Sequence, residues 1–239
     1  MKHLPTLNHT AKLCFKAFLD LIYPRYCPVC GHKLPASISG ICILCMLKLE
    51  EYIEPMEKGL ERLVGSPFVN NLYALYTFKK ENDVQRMVHS LKYGHNLEWG
   101  YDVGRMLGRI ILERSITYDA IIPVPIAPER YNQRGYNQSF VIAQGIASIL
   151  NTPIYDKAFR RKRFSHSQTF KSREQRVSNV KNAFLPGKAC GMLQDKKLLL
   201  VDDVLTTGAT MLSLCDSIEI YGPQSMDIAV VAVTSNLYY

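Results

Sequence analysis

Leu198-Leu199-Leu200-Val201-Asp202-Asp203-Val204-Leu205-Thr206-Thr207-Gly208-Ala209-Thr210 is the stretch whose reading decides the fold. Four apolar residues make a buried strand of a parallel sheet, two carboxylates sit at its carboxyl end, and a glycine- and hydroxyl-rich turn opens a helix. In open α/β sheets, ligands bind beyond the carboxyl ends of the strands. The unpaired N–H groups of a helix's first turn receive an anion there, and glycine lets the backbone come close to it. Thr206 through Thr210 therefore read as a cradle for one phosphate. Carboxylates repel phosphate, so Asp202 and Asp203 suit sugar hydroxyls or a hydrated Mg²⁺ instead. Phosphate on one side and vicinal hydroxyls on the other describe a ribose 5-phosphate. A Walker B strand also ends in acids, but the Gly-x-x-x-x-Gly-Lys-Ser/Thr loop that must accompany it does not occur in the chain.

Outward from this stretch, strands and helices alternate. Leu72–Phe78 reads as a strand, and Val84, Met87, Val88 and Leu91 follow at helical spacing. Ala120–Val124 is a short buried strand. Phe140, Ala143, Ala147 and Leu150 mark a helix, as do Met211, Leu214, Ile218 and Tyr221 after the Thr-rich turn. Ile228–Val233 is expected to close the sheet. The alternation predicts an α/β fold with a doubly wound parallel sheet.

Two loops are expected at the same sheet edge as the phosphate cradle. Pro125 to Gln138 carries prolines that preset a rigid turn, with Arg130 and Arg134 placed to grip pyrophosphate in fork geometry and Asn137 as a helix cap. Arg160-Arg161-Lys162-Arg163-Phe164 opens a stretch of roughly 25 residues without strong periodicity, the length of a functional flap. Its cations suit phosphates and Phe164 suits stacking on a base. His166, in the same stretch, reads as a surface residue. Lys92-Tyr93-Gly94, closing an earlier helix, reads as a phosphate contact or as a helix end with a C′ glycine.

The 239 residues carry a formal charge of +8. Residues 120–188 hold 12 Lys/Arg against 3 Asp/Glu, so one segment carries the whole excess. A localised basic region favours nucleotides, pyrophosphate or nucleic acid, the alternative being a solvated surface with no partner. Apolar content of 47% and charged content of 21% are those of a soluble globular protein. No apolar run approaches the roughly 18 residues of a membrane span. Met1-Lys2-His3-Leu4-Pro5 lacks a secretory signal's apolar core, so a cytoplasmic location is expected.

Cys27-Pro28-Val29-Cys30-Gly31 and Cys42-Ile43-Leu44-Cys45 form two C-x2-C pairs, the spacing that wraps one tetrahedral Zn²⁺. Gly31 permits the turn that aims N–H groups at sulfur; the second pair lacks that glycine. Four thiolates leave no open coordination position, so the metal is structural. His32 reads as a surface residue and Cys215 as a buried, inert thiol. Leu13, Ala17 and Leu21 suggest a short helix packing this module onto the main domain.

The Asp202–Thr210 stretch resembles the phosphoribosyl pyrophosphate (PRPP) motif of type I phosphoribosyltransferases. The resemblance implies PRPP bound by Asp202, Asp203, Leu205, Thr206, Thr207, Gly208, Ala209 and Thr210, with Mg²⁺. Together with the four cysteines, Lys92-Tyr93-Gly94, Pro123-Val124-Pro125, Arg134-Gly135-Tyr136-Asn137-Gln138, and Gln168 with Arg176 and Asn179, the chain resembles the ComF family from Tyr23 onward. Tyr136 stands where phenylalanine is common. That resemblance implies an amino-terminal helix and zinc-ribbon-like module over 1–60 and a phosphoribosyltransferase-like domain over 61–239. It also implies a role in natural transformation, with single-stranded DNA and DNA-uptake helicase machinery as partners. Lys92, Arg130, Arg134, Arg160, Arg161, Lys162, Arg163 and Phe164 are then candidate contacts to pyrophosphate or DNA. Two other readings stay open: an active phosphoribosyltransferase on an unidentified nucleobase or amine, and a PRPP-sensing regulator.

Overall fold

Leu198 and Leu200 pack into one apolar cluster while Leu199 and Val201 pack into another, so their strand is buried on both faces. In a computed structural model, which describes residues 18, 24–35, 37–38, 40–54, 59–63, 66–94, 96–162 and 183–235, this strand is β5, Lys197–Leu205. The elements before it are α1 (Ile43–Met46), β1 (Val69–Phe78), α2 (Asp83–Tyr93), α3 (Leu97–Glu113), β2 (Ala120–Pro123), α4 (Pro128–Arg134), α5 (Gln138–Leu150), β3 (Phe159–Arg161) and β4 (Phe184–Pro186). After β5 come α6 (Ala209–Glu219) and β6 (Ser225–Thr234).

Four strands form a parallel sheet in the order β1-β6-β5-β2. Helices α2, α3 and α5 cover the face that carries Leu199, Val201 and Val231. Helix α6 and the β3–β4 hairpin cover the face of Leu198, Leu200 and Val230. The sheet is thus doubly wound, as its alternating pattern predicts. Ile228–Val233 does not close it: β6 lies inside, between β1 and β5.

Helix α3 has no counterpart in the sequence reading. Trp99, Val103, Leu107 and Ile111 step by four along its buried face, but Gly100, Gly104 and Gly108 interleave and resemble helix breakers. They serve packing instead. A Cβ on Gly104 would lie 2.1 Å from the Ile142 carbonyl oxygen, so α3 and α5 touch backbone to backbone. Likewise the stretch from Pro125 to Gln138 is not loop throughout. Pro128 starts α4, and Gly135 ends it at φ 77°. Of the presumed flap, Arg160 and Arg161 lie on β3, which pairs antiparallel with β4. Arg163, Phe164, His166, Gln168, Arg176 and Asn179, like Leu13, Ala17 and Leu21, fall outside the described residues. No helix among the described residues is long and apolar enough to cross a membrane.

Candidate sugar-phosphate pocket and cysteine cluster

Strand β5 outlasts its neighbour β2, whose last pairing is Pro123 with Val201. Toward β6 the ladder continues through Val204 and Leu205. Asp202 and Asp203 therefore lie within the strand rather than beyond it, but on the side where β2 has ended. The chain leaving β2 and helix α4 wall off a cavity of about 190 Å³ there. Lys92, Arg130, Arg134 and Arg161 line it together with Asp202, Asp203, Thr206 and Thr210. Of the expected contacts, Arg160 and Lys162 are not among its lining residues; they line a second, larger cavity next to it.

The two acids differ in surroundings. Asp203 is buried and pairs with Lys92 through Nζ at 3.1 Å. Asp202 keeps some exposure yet is packed among protein atoms, and accepts hydrogen bonds from the Ser139 hydroxyl and the Asp203 N–H, each at 2.9 Å. Burial, reinforced by the neighbouring Asp203 charge, outweighs these donors and pushes the Asp202 carboxyl up to about 7. Two carboxylates face one small space, and Lys92 makes its ion pair with Asp203.

The same cavity holds donors. Arg134 is buried, lies over the Tyr93 ring at 4.8 Å and donates to the Tyr93 hydroxyl at 3.1 Å. Among the described residues, Arg134 Nε and Gln138 Nε2 are buried with no hydrogen-bond partner, although both residues line the cavity. Buried polar groups are nearly always paired, and an orphan donor costs roughly 1–3 kcal/mol. Asn137 caps α5, accepting from the Ser139 N–H at 3.1 Å, while its amide donates to the Val124 carbonyl at 3.0 Å and ties the cap to the chain leaving β2.

Below the acids, Gly208 caps α6 at φ 78°, and the Thr207 hydroxyl accepts from the Ala209 N–H at 3.4 Å. The loop is held from behind by a residue the sequence did not disclose. Arg62 is buried, and its guanidinium donates to the carbonyls of Leu205 at 3.3 Å and Thr206 at 3.0 Å, as well as to Thr234. It lies some 140 positions away in the chain, so no local pattern marks it. Ser139 likewise has only its place after the cap to show for itself. Gly94 caps α2 at φ −88°, its N–H donating to the Ser90 carbonyl at 2.7 Å, so the helix ends at this glycine without a left-handed turn. Lys92 on its last turn reaches the acid pair.

Cys27, Cys30, Cys42 and Cys45 converge with all four Sγ atoms within 4.8 Å of one another. Sulfurs at about 2.3 Å around one tetrahedral ion stand roughly 3.8 Å apart, and Cys30 and Cys42 Sγ are 3.7 Å apart. Gly31, at φ 74°, makes the first turn; the second pair is instead carried by helix α1, whose single turn brings Cys42 and Cys45 together. Burial opposes ionisation of Cys27, but N–H groups of Cys42, Cys30 and Val29 overcome it and bring the thiol down to about 7. Burial and the other three cysteines push Cys45 up. Four thiolates this close repel one another, and a divalent cation is what lets them coexist. The group fits a metal ion. His32 is exposed. Cys215 is fully buried, and its thiol is pushed up to about 12 by burial.

The phosphoribosyl transferase domain family model matches residues 136–236, which hold the acid pair, the Thr-rich turn and α6. Competence protein F of Haemophilus influenzae is 31% identical over 196 residues, 78% of this chain and 75% of its own. DNA utilization protein YhgH of Escherichia coli O157:H7 is 30% identical over 213 residues, 80% of this chain and 89% of its own. Competence protein ComFC of Bacillus subtilis is 23% identical over 212 residues, 86% and 77% respectively. With a phosphoribosyl transferase domain behind four clustered cysteines, and this likeness running over most of its length, the chain belongs to the ComF family.

Proposed function

We propose that the pocket binds PRPP with Mg²⁺, and that the protein uses this site while handling incoming single-stranded DNA in natural transformation. The observation that carries the ligand is the pocket itself: Lys92, Arg130, Arg134 and Arg161, the donors of Arg134 and Gln138, the acid pair and the start of α6 line one cavity. Asp202 and Asp203 take the ribose hydroxyls as acceptors. Leu205 and Thr206 to Thr210 hold the 5-phosphate, aided by the first amides of α6. Lys92, Arg130, Arg134 and Arg161 face the pyrophosphate, where Arg134 Nε and Gln138 Nε2 find the acceptors they lack. Mg²⁺ bound with the pyrophosphate would supply charge that stabilises it. Cys27, Cys30, Cys42 and Cys45 hold a structural Zn²⁺. The DNA part is supported by the names of the relatives, which are competence and DNA-utilization proteins, and by the basic excess of residues 120–188. Together with a soluble, cytoplasmic chain, that is the setting in which the strand is met.

The decisive experiment is calorimetric titration of PRPP and Mg²⁺ into wild type and Asp203→Ala, with and without a single-stranded oligonucleotide. Asp203→Ala removes a hydroxyl acceptor and leaves Lys92 without its partner, and affinity should fall at least tenfold. Equal affinities would remove the acid pair from the site. Pyrophosphate released during the titration would identify the active transferase, and strand affinity should drop steeply with salt.

Asp202 makes a pH-dependent signature. Its carboxyl ionises only near 7 in the folded chain and near the ordinary carboxylate range when unfolded. Between those values the folded state holds the extra proton. This group therefore favours folding as pH falls from 7 toward 4, and that contribution is gone once pH rises above 7. Asp202→Asn keeps an oxygen for Ser139 and Asp203 but carries no charge. At pH 8 it should melt roughly 2–4 °C above wild type, the shift that about 1 kcal/mol gives in a chain of this size. The difference should shrink as pH falls through that window, and below about pH 4 the two should coincide. Thermal melts across that range, showing the same difference at every pH, would contradict the assignment.

A further inference from the structure

The sugar-phosphate pocket opens beside a cavity of about 920 Å³, toward the upper end of the roughly 300–1,000 Å³ typical of ligand sites. The two share the walls Pro125, Ile126, Asn137 and Arg161. The larger one has a different chemistry. Tyr131, Tyr136 and Phe140 give it aromatic faces, and Arg160, Arg161 and Lys162 sit together on its β3 side, with Asp156 the one acid among its described lining residues. Tyr136 is pinned by its hydroxyl, which donates to the Leu91 carbonyl. Arg161 is held over the Phe184 ring at 5.4 Å. Tyr131 is free to meet a partner, being 49% exposed on the second turn of α4.

We propose that this cavity seats a base of a single-stranded nucleic acid against Tyr131, with the strand's phosphodiesters on Arg160, Arg161 and Lys162. Aromatic faces stack on any base, whatever its sequence, and neighbouring cations track the backbone. A free, uncharged base would use the aromatic walls but has no need of three successive cations. The charge complement therefore selects a polyanion. Because Arg161 lines both cavities, strand and sugar phosphate meet at one guanidinium, and each alters the other's affinity by the same factor. The inference rests on the single-stranded DNA reading above and gives it a location.

The test is fluorescence anisotropy of a labelled oligothymidylate, and of an abasic strand of equal length, against wild type, Tyr131→Ala and Tyr131→Phe. Tyr131→Ala should bind oligothymidylate about tenfold more weakly, since stacking on one aromatic is worth that much. Tyr131→Phe should stay within about twofold, and the abasic strand should not distinguish Tyr131→Ala from wild type. Thymine alone should give no calorimetric heat. If wild type binds the strand and Tyr131→Ala binds it equally well, the location is wrong while the DNA reading stands. If wild type binds no strand, both fall. Heat from thymine with no effect of Tyr131→Ala on the strand would assign the cavity to a free base and overturn the proposal.

Discussion

Cys30→Ser should cost the protein one bound metal ion per chain and lower its melting temperature by about 10 °C or more. On exposure alone that is a surprising size of effect, because Cys30 is exposed and surface exchanges usually change stability by no more than about 0.5 kcal/mol. The proposed structural zinc is what makes the difference. Serine is nearly isosteric and no packing is lost, so any large loss reports the missing thiolate. The fold transmits it. Leu34, Ile41 and Leu49 of the cysteine module belong to the same buried cluster as Met87, Leu91, Trp99 and Val103 of α2 and α3. Gly40, at φ 81°, lies so close to Trp99 that an added Cβ would be 2.4 Å from its ring. Loosening the module therefore uncovers the helices that hold Lys92 and back the sheet. Metal analysis, thermal melts and chelation of wild type decide it: chelation should reproduce the variant's drop. A variant that keeps its metal content, or loses it with an unchanged melting temperature, would refute a structural metal.

How much of this was legible in the sequence depends on how far apart the cooperating residues lie. The β5-turn-α6 unit is local: the apolar run, acids, glycine and hydroxyls fall within thirteen consecutive residues, and the structure places Asp202, Asp203, Thr206 and Thr210 around one cavity. The cysteine pairs are likewise marked by spacing alone. Helix α3 went unread because its close-packing residues are glycines, whose value shows only when α5 is laid against them. Strand order was not legible for the same reason. Nothing in Ile228–Val233 says that β1 will pair outside it, because both faces and both edges are buried. Arg62 is the extreme case. A basic residue in a short 3₁₀ turn has an ordinary look until the carbonyls of Leu205 and Thr206 are brought to it.

Arg62 also sets the second large effect, on Gly208. Gly208→Ala should lower PRPP affinity at least a hundredfold and the melting temperature by roughly 5–10 °C. Two separate strains combine. At φ 78° a side chain is disfavoured by about 1–2 kcal/mol whatever its surroundings. In addition, the new Cβ would sit 2.4 Å from the Arg62 carbonyl oxygen, and backbone held at that distance must move. Arg62 cannot yield freely, because its guanidinium is fastened to Leu205, Thr206 and Thr234. The turn yields instead, and with it the amides proposed to hold the 5-phosphate. Gly222 separates the two contributions. It has φ 62° with nothing within 4 Å of an added Cβ, and it lies beyond the far end of α6. Gly222→Ala should therefore lose only the conformational part, melting about 2–4 °C lower for each kcal/mol, with PRPP affinity unchanged. If calorimetry gave both variants the same affinity for PRPP, the turn at Gly208 would not be the phosphate site, and Arg62 would be bracing the sheet edge alone.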